Sequence, residues 1–306
     1  MVAGRMFHTG APVVLWFDPG GYDAYRVERR FVPLDQASWA ESSSVLRSPN
    51  RYSTRRVGMS PEDQERTRHG NWTLDDVRTH VDQFVIHYDV CGVSRRCFRV
   101  LHDLRGLSVH FMLDIDGTIY QTLDVQERAW HAGTANDRSV GIEIANMGAY
   151  RDPDDRTLRQ WYARDEQGTR ITIPGSLGDG GVRTQGFVGR PSRPEPVSGE
   201  IHGTTLHQYD LTDEQYDSLI KLTAALHLAL PGIELDYPRE SDGSLATREL
   251  TQEEYDDFRG LIGHYHVTRG KIDPGPAFDW DRVVEGARKI VSDRAREGAR
   301  YVRGGR

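Results

Sequence analysis

The sequence predicts an α/β fold, and three observations carry the prediction. Phe84-Val85-Ile86 is a β-branched and aromatic run of the kind that forms a buried strand. Two alternating segments, 108–114 and 118–123, flank Asp116-Gly117, a favoured hairpin turn. Thr212 and Gln215 form a capping box ahead of Tyr216, Leu219, Ile220, Leu222 and Leu226, which predicts a helix to about Leu230, stopped by Pro231-Gly232.

Taken in chain order, residues 1–80 are rich in Arg, Ser, Pro and Gly and read as an N-terminal extension without recognisable chemistry. Strand-like runs stand at Val13–Phe17 and around Arg30–Leu34. The main domain is expected over 81–292, with a helix over Arg95–Leu104 after the first buried strand. Val140-Gly141-Ile142-Glu143-Ile144 predicts another strand, apolar on one side, with a carboxylate on the opposite face. Between about 150 and 211 the chain turns to Gly, Pro and Arg, as in PGSLGDGG at 174–181, and reads as a long loop insertion. Thr251 and Glu254 repeat the helix-start signal. Trp280, Val283, Val284, Ala287, Ile290 and Val291 stand at helical spacing, before a basic tail over 293–306.

Composition excludes several classes of function. The chain has 306 residues, with 46 acidic and 39 basic side chains and a formal charge of −7, so no global field attracts a phosphate backbone and no nucleic-acid partner is expected. No apolar stretch approaches the ~20 residues of a membrane-spanning helix. The only apolar run in the first twenty residues, Val13–Phe17, is too short for the core of a secretory signal. Two cysteines, Cys91 and Cys97, are too few for a disulfide-built fold.

The candidate chemistry is metal chemistry. A catalytic zinc site needs about three protein ligands and one open position. His87 stands at the end of the strand FVIHYDV, and GHYHVTRGKIDPGPAFDW supplies His264 and Asp273. Each histidine taken alone is as well explained as a core or surface residue, and neither H-E-x-x-H nor a C-x-x-C pair is present. Local pattern therefore leaves the ligand set open.

Four ordered segments, FVIHYDV, LSVHFMLDIDGTIYQ, AWHAGTANDRSVGIEIAN and GHYHVTRGKIDPGPAFDW, resemble the motifs of the N-acetylmuramoyl-L-alanine amidase type 2 family, which includes phage amidase lysozymes and peptidoglycan-recognition proteins. The resemblance covers roughly Asp82–Asn146 and Leu261–Trp280. It implies a mixed central β-sheet flanked by helices with a zinc cleft on one face. It also implies hydrolysis of the amide between N-acetylmuramic acid and L-alanine in peptidoglycan or muropeptides. The alternative it carries is a recognition module that binds peptidoglycan without cutting it.

Residue by residue, the resemblance makes His87, His264 and Asp273 the Zn²⁺ ligands, with Asp273 where some relatives have cysteine. His266 is the alternative to His264, although the residue directly after Gly263 fits the family pattern better. Lys271 would stabilise the oxyanion, Glu143 would act on the attacking water, and His131 would face the substrate and polarise its carbonyl. His110, Asn136 and Arg138 would bind substrate. Val109 stands where some members have a tyrosine before the His-Phe pair, which raises the weight on Glu143.

Cys91 and Cys97 match a pair that is often a disulfide in recognition proteins, and free buried thiols are the alternative. Arg95, Arg96 and Arg105 either approach an anionic muropeptide or form the solvated face of a helix. The insertion, which follows the strand carrying Glu143, is expected to border the cleft. The expected location is cytoplasmic, with delivery to the cell wall by another route as the alternative.

Overall fold

The computed structural model describes residues 1–68 and 70–304, with side chains of the last helix described to 296. Its centre is a mixed six-stranded sheet built from β1 (Val13–Leu15), β2 (Gln83–Tyr88), β3 (Phe111–Leu113), β4 (Ile119–Gln121), β5 (Ser139–Ile144) and β6 (Gly260–Gly263). In space the order is β1-β4-β3-β5-β2-β6. Only the β3–β4 hairpin, turned at Asp116-Gly117 as predicted, is antiparallel; the other neighbours run parallel. The sheet is flanked by helices: α1 (Leu74–His80), α2 (Ser94–Phe98, which continues as a π-helical stretch over Arg99–Arg105), α3 (Asp213–Ala229) and α4 (Trp280–Gly304).

The two-residue period of a strand decides which side chains reach which face. Phe84, Ile86, Val140, Ile142 and Ile144 join Tyr216, Leu219, Leu222, Leu226, Val283 and Val284 in the main core, under α3 and α4. Val85 packs on the opposite side with Ala132, Ala135, Tyr255 and Ile262. His87 shares that parity, and the register sets it directly beside Glu143, with His87 and Glu143 as Cα partners across β2 and β5. Burying both faces of the central strands fits their parallel pairing.

The capping boxes form as predicted. Thr212 Oγ1 accepts the Gln215 N–H at 3.0 Å while Gln215 Oε1 accepts the Thr212 N–H at 3.0 Å. The Thr251 box opens a short helix, Gln252–Asp257. The expected tail is helical through 304, and residues 305 and 306 lie outside the described residues.

Two expectations change. The run Arg30–Leu34 is not a strand: the N–H groups of Arg30 and Phe31 donate to the Asp103 carboxylate, and a short helix begins at Leu34. The 150–211 segment carries real elements: the helix Arg156–Trp161, the hairpin Tyr162–Asp165 with Gly168–Ile171, and the hairpin Val197–Ile201 with Thr204–Gln208. The N-terminal extension, residues 1–80, is joined closely to the main domain: β1 pairs with β4, Tyr52–Thr54 pairs with Glu127–Ala129, and Arg51 and Arg55 are wholly buried. No described helix is long and apolar enough to cross a membrane.

Candidate metal centre

His87, His264 and Asp273 converge although they are far apart in sequence. His87 leaves β2, His264 opens the short helix that follows β6, and β2 and β6 are adjacent parallel strands, so both rings emerge at the same end of the sheet. Their centroids are 4.5 Å apart. Asp273 comes in on the following loop: its Oδ2 lies 2.7 Å from His87 Nδ1 and 3.1 Å from His264 Nδ1. One ligand atom from each of the three lies within 4.8 Å of the others, and all three side chains are buried.

The charge states suit a cation. Burial, then repulsion from His264, lowers His87 to about 4, so its imidazole is neutral. Burial pushes the Asp273 carboxyl up, but the hydrogen bonds from His264 and His87 outweigh it and hold the group well below the usual carboxylate range. Two imidazoles, that of His87 neutral, and an ionised carboxylate form the nitrogen and oxygen donor set that zinc accepts. His266 is engaged elsewhere: its Nδ1 accepts the Gly263 N–H at 2.8 Å and its Nε2 faces Ala246 O at 2.7 Å. Between the two histidines, the geometry brings His264 to the cluster.

The three residues line a cavity of about 150 Å³ together with Glu143, Lys271 and His131. Glu143 Oε2 is buried without a hydrogen-bond partner. Burial first, and the negative Asp273 next, push its carboxyl well above the ordinary value. Lys271 is exposed at the rim, and its ammonium makes no ion pair among the described residues.

His131 reaches the cavity, but its ring nitrogens are occupied. Its Nδ1 lies 3.0 Å from His87 Nε2 and its Nε2 lies 3.4 Å from Ser139 Oγ. The ring lies directly over Gly141, where an added Cβ would come within 2.6 Å of it, which explains a glycine in mid-strand. His131 therefore stands against the His87 ring as well as against the cavity. Burial, then repulsion from His87, keeps the ring neutral.

The structure does not bring His110, Asn136 and Arg138 to the cavity. His110 is wholly buried, with Nε2 facing Glu127 O at 2.9 Å and Nδ1 accepting the Gly141 N–H at 3.1 Å. Asn136 Oδ1 accepts the N–H groups of His131 and Ala132, so it shapes the His131 loop. Arg138 pairs with both oxygens of Asp82 at 2.7 Å and donates to carbonyls of Tyr255, Asp256 and Phe258. These hydrogen bonds tie each of the three side chains to neighbouring protein segments.

Asp89, Trp130 and Arg55 gave no sequence signal strong enough to single them out. Asp89 Oδ1 accepts three backbone N–H groups, from Cys91, Gly92 and Asn146, and braces the loop after β2. Cys91 and Cys97 are free buried thiols beside it, and Val109 is buried in the same apolar cluster as the two cysteines. Trp130 lines the cavity and is held by Ser53 of the N-terminal region through Nε1 at 3.2 Å. Arg55 places its guanidinium against the carbonyls of Val125, Asn136, Asp137 and Ser139, tying together the segments around His131.

The insertion supplies no residue to the lining of this cavity. It buttresses the ligand loop from behind: Gln208 Nε2 donates to Pro274 O at 3.0 Å, Gln208 Oε1 accepts the Ala277 N–H at 3.0 Å, and His202 Nε2 meets Lys271 O at 3.0 Å.

Fold and site together define an α/β domain with a buried His-His-Asp cluster that could hold a metal ion. Residues 77–164 match the family model described as N-acetylmuramoyl-L-alanine amidase, in keeping with the motifs in that segment. The match contains His87, His131 and Glu143 and ends before His264 and Asp273.

Among solved structures, a selenomethionine AmpD derivative is 18% identical, with 77% of this chain and 89% of that one covered and a TM-score of 0.35. The amidase AmiD from E. coli, in complex with the substrate anhydro-N-acetylmuramic acid-L-Ala-D-gamma-Glu-L-Lys, is 17% identical, with 68% of this chain and 57% of that one covered and a TM-score of 0.39. The endolysin amidase LysCS from Clostridium intestinale URNW is 15% identical, with 68% and 83% covered and a TM-score of 0.31. No curated protein matches the chain.

Proposed function

We propose that the chain is a zinc amidase that hydrolyses the bond between N-acetylmuramic acid and L-alanine in peptidoglycan or muropeptides. The observation that carries this reading is the convergence of His87, His264 and Asp273 in a cavity that Glu143 also lines, in a chain with a segment that matches the amidase family model. When bound there, zinc supplies Lewis acidity to the scissile carbonyl and to a water molecule.

The chain's own groups do the rest. His87 and His264 turn their Nδ1 atoms toward Asp273, and His131 fixes the orientation of the His87 ring through Nε2. Hydrolysis moves one proton from the attacking water to the departing alanine nitrogen, and we assign that transfer to Glu143 Oε2, which is buried and unpartnered. The Lys271 ammonium at the rim opposes the negative charge that gathers on the carbonyl oxygen.

Product analysis tests the reading. Purified sacculi and soluble muropeptides are incubated with the protein, with and without a chelator, and the products are resolved by mass spectrometry. Free stem peptide beginning with L-alanine, lost on chelation and restored by zinc, is the expected result. Binding without release of peptide would make the chain a recognition module.

A further inference from the structure

A second cavity, of about 250 Å³, lies beside α2, and its walls come from three parts of the chain that sequence reading kept separate. Phe31 belongs to the N-terminal region, Arg95, Arg96 and Arg99 to α2 and its π-helical continuation, and Ser176 and Gly180 to the insertion. The approach of the insertion is close and built. Gly180 and Gly181 have φ of +69° and +76°; a Cβ on the first would come 2.9 Å from Val93, and one on the second 2.7 Å from Arg95 Cδ. The guanidinium of Arg95 also packs over the Phe31 ring, 5.6 Å from its centroid.

None of the three arginines forms an ion pair among the described residues, although Arg66, Arg138, Arg190 and Arg248 elsewhere are each held by carboxylates. The nearby Asp179 turns its carboxylate into its own loop, accepting the Gly181 N–H at 2.8 Å. In a chain of net charge −7, three unpaired guanidiniums in one concavity focus a local positive field. The arginine fork matches a carboxylate or phosphate better than a point charge does. This cavity also adjoins the metal cavity through α2: Arg96 reaches the carbonyl of Cys91, and Cys91 and Cys97 line the metal side.

We infer that this cavity is an anion subsite that takes a carboxylate of the substrate's peptide arm, an inference that rests on the amidase reading above. A helix with its side chains is about 10–12 Å across. An extended peptide spans about 3.3–3.6 Å per residue. A carboxylate carried about four residues from the scissile bond, roughly 13–14 Å along an extended peptide, therefore has a reach greater than the width of α2.

The test compares kcat/KM of the zinc-loaded protein on a soluble muropeptide with free stem carboxylates and on the same muropeptide with those carboxylates amidated. The wild type should prefer the free acid on the order of ten-fold, the scale of a charge-assisted contact. The double variant Arg95→Gln/Arg99→Gln should lose this preference through a raised KM for the acid, with kcat, zinc content and the rate on the amidated substrate unchanged. Both side chains are exposed, so thermal stability should stay near wild type. Equal use of the two substrates by the wild type, or a preference kept by the double variant, overturns the subsite and leaves the amidase reading standing. Cleavage of neither substrate removes both. Competition by inorganic phosphate that the double variant abolishes, without any discrimination between acid and amide, assigns the cavity to a phosphate group and overturns the peptide assignment.

Discussion

His87 Nε2 lies 3.0 Å from His131 Nδ1, on the side of the His87 ring away from Asp273. A histidine that ligates a metal through one nitrogen is oriented by what its other nitrogen meets. His131→Ala should therefore weaken zinc affinity by about 10–100-fold, the usual effect of removing such a partner. Competition against a chelator of known affinity measures this. Unchanged affinity with a lowered kcat would instead give His131 a direct part in the chemistry.

Metal content should be about one zinc per chain, the stoichiometry of three ligands with one open position. His87→Ala and His264→Ala should lose it. His266→Ala should keep it and lose stability, because the Gly263 N–H and Ala246 O are left without their partner, at roughly 1–3 kcal/mol for each buried group. Full zinc in His264→Ala with loss in His266→Ala would exchange the two assignments.

Glu143→Gln preserves the shape of the side chain and removes its proton chemistry. Turnover should fall by ~10²–10⁴, with zinc content and muropeptide binding near wild type. Loss of the metal would make Glu143 a ligand, and normal turnover would pass the proton to another group.

Asp114 gives a pH prediction distant from catalysis. Its Oδ1 accepts the Ile115 N–H at 2.9 Å, its Oδ2 is buried without a partner, and burial, followed by repulsion from Asp116, pushes its carboxyl up to about 7 from 3.8. Between those values the folded chain holds a proton that the unfolded chain releases. The stability this group contributes is thus fully present below 3.8 and declines as pH rises toward 7. Asp114→Asn carries no such titration, so its melting temperature relative to wild type should climb across that interval and level off above it. A constant difference would mean that Asp114 ionises normally.

Local signals made much of the fold legible. The Phe84-Val85-Ile86 run, the Asp116-Gly117 turn and the Thr212 capping box each act within a few residues, and each element formed where the sequence placed it. The ligand cluster was legible only through its resemblance to a family. What brings His87 beside Glu143 is a strand register between segments more than fifty residues apart in the chain, and periodicity within one strand does not encode it.

His131 was expected to polarise the substrate carbonyl and His110 to bind substrate, and both stood in the family-like motifs. What separates them is that Arg55, Glu127 and Gly141 enclose the first. Arg55 itself gave no signal, because a buried guanidinium is sustained by carbonyls from distant turns and carbonyls have no sequence identity. The insertion was read as loop because its Gly and Pro are turn residues, and the two hairpins those turns connect are short.

The pairing of β1 with β4 bears on where this protein can be cut for expression. A fragment starting at residue 77, where the family match begins, would lose Val13–Leu15 and leave Ile119–Gln121 as an open edge of the sheet. Unpaired backbone along an apolar strand is a template for another chain. Such a fragment would also lack Arg55, so the carbonyls of Val125, Asn136, Asp137 and Ser139 would face a void. The family boundary therefore marks the limit of a sequence match rather than a unit that stays monodisperse in solution; truncation there should yield aggregates before it yields a smaller enzyme.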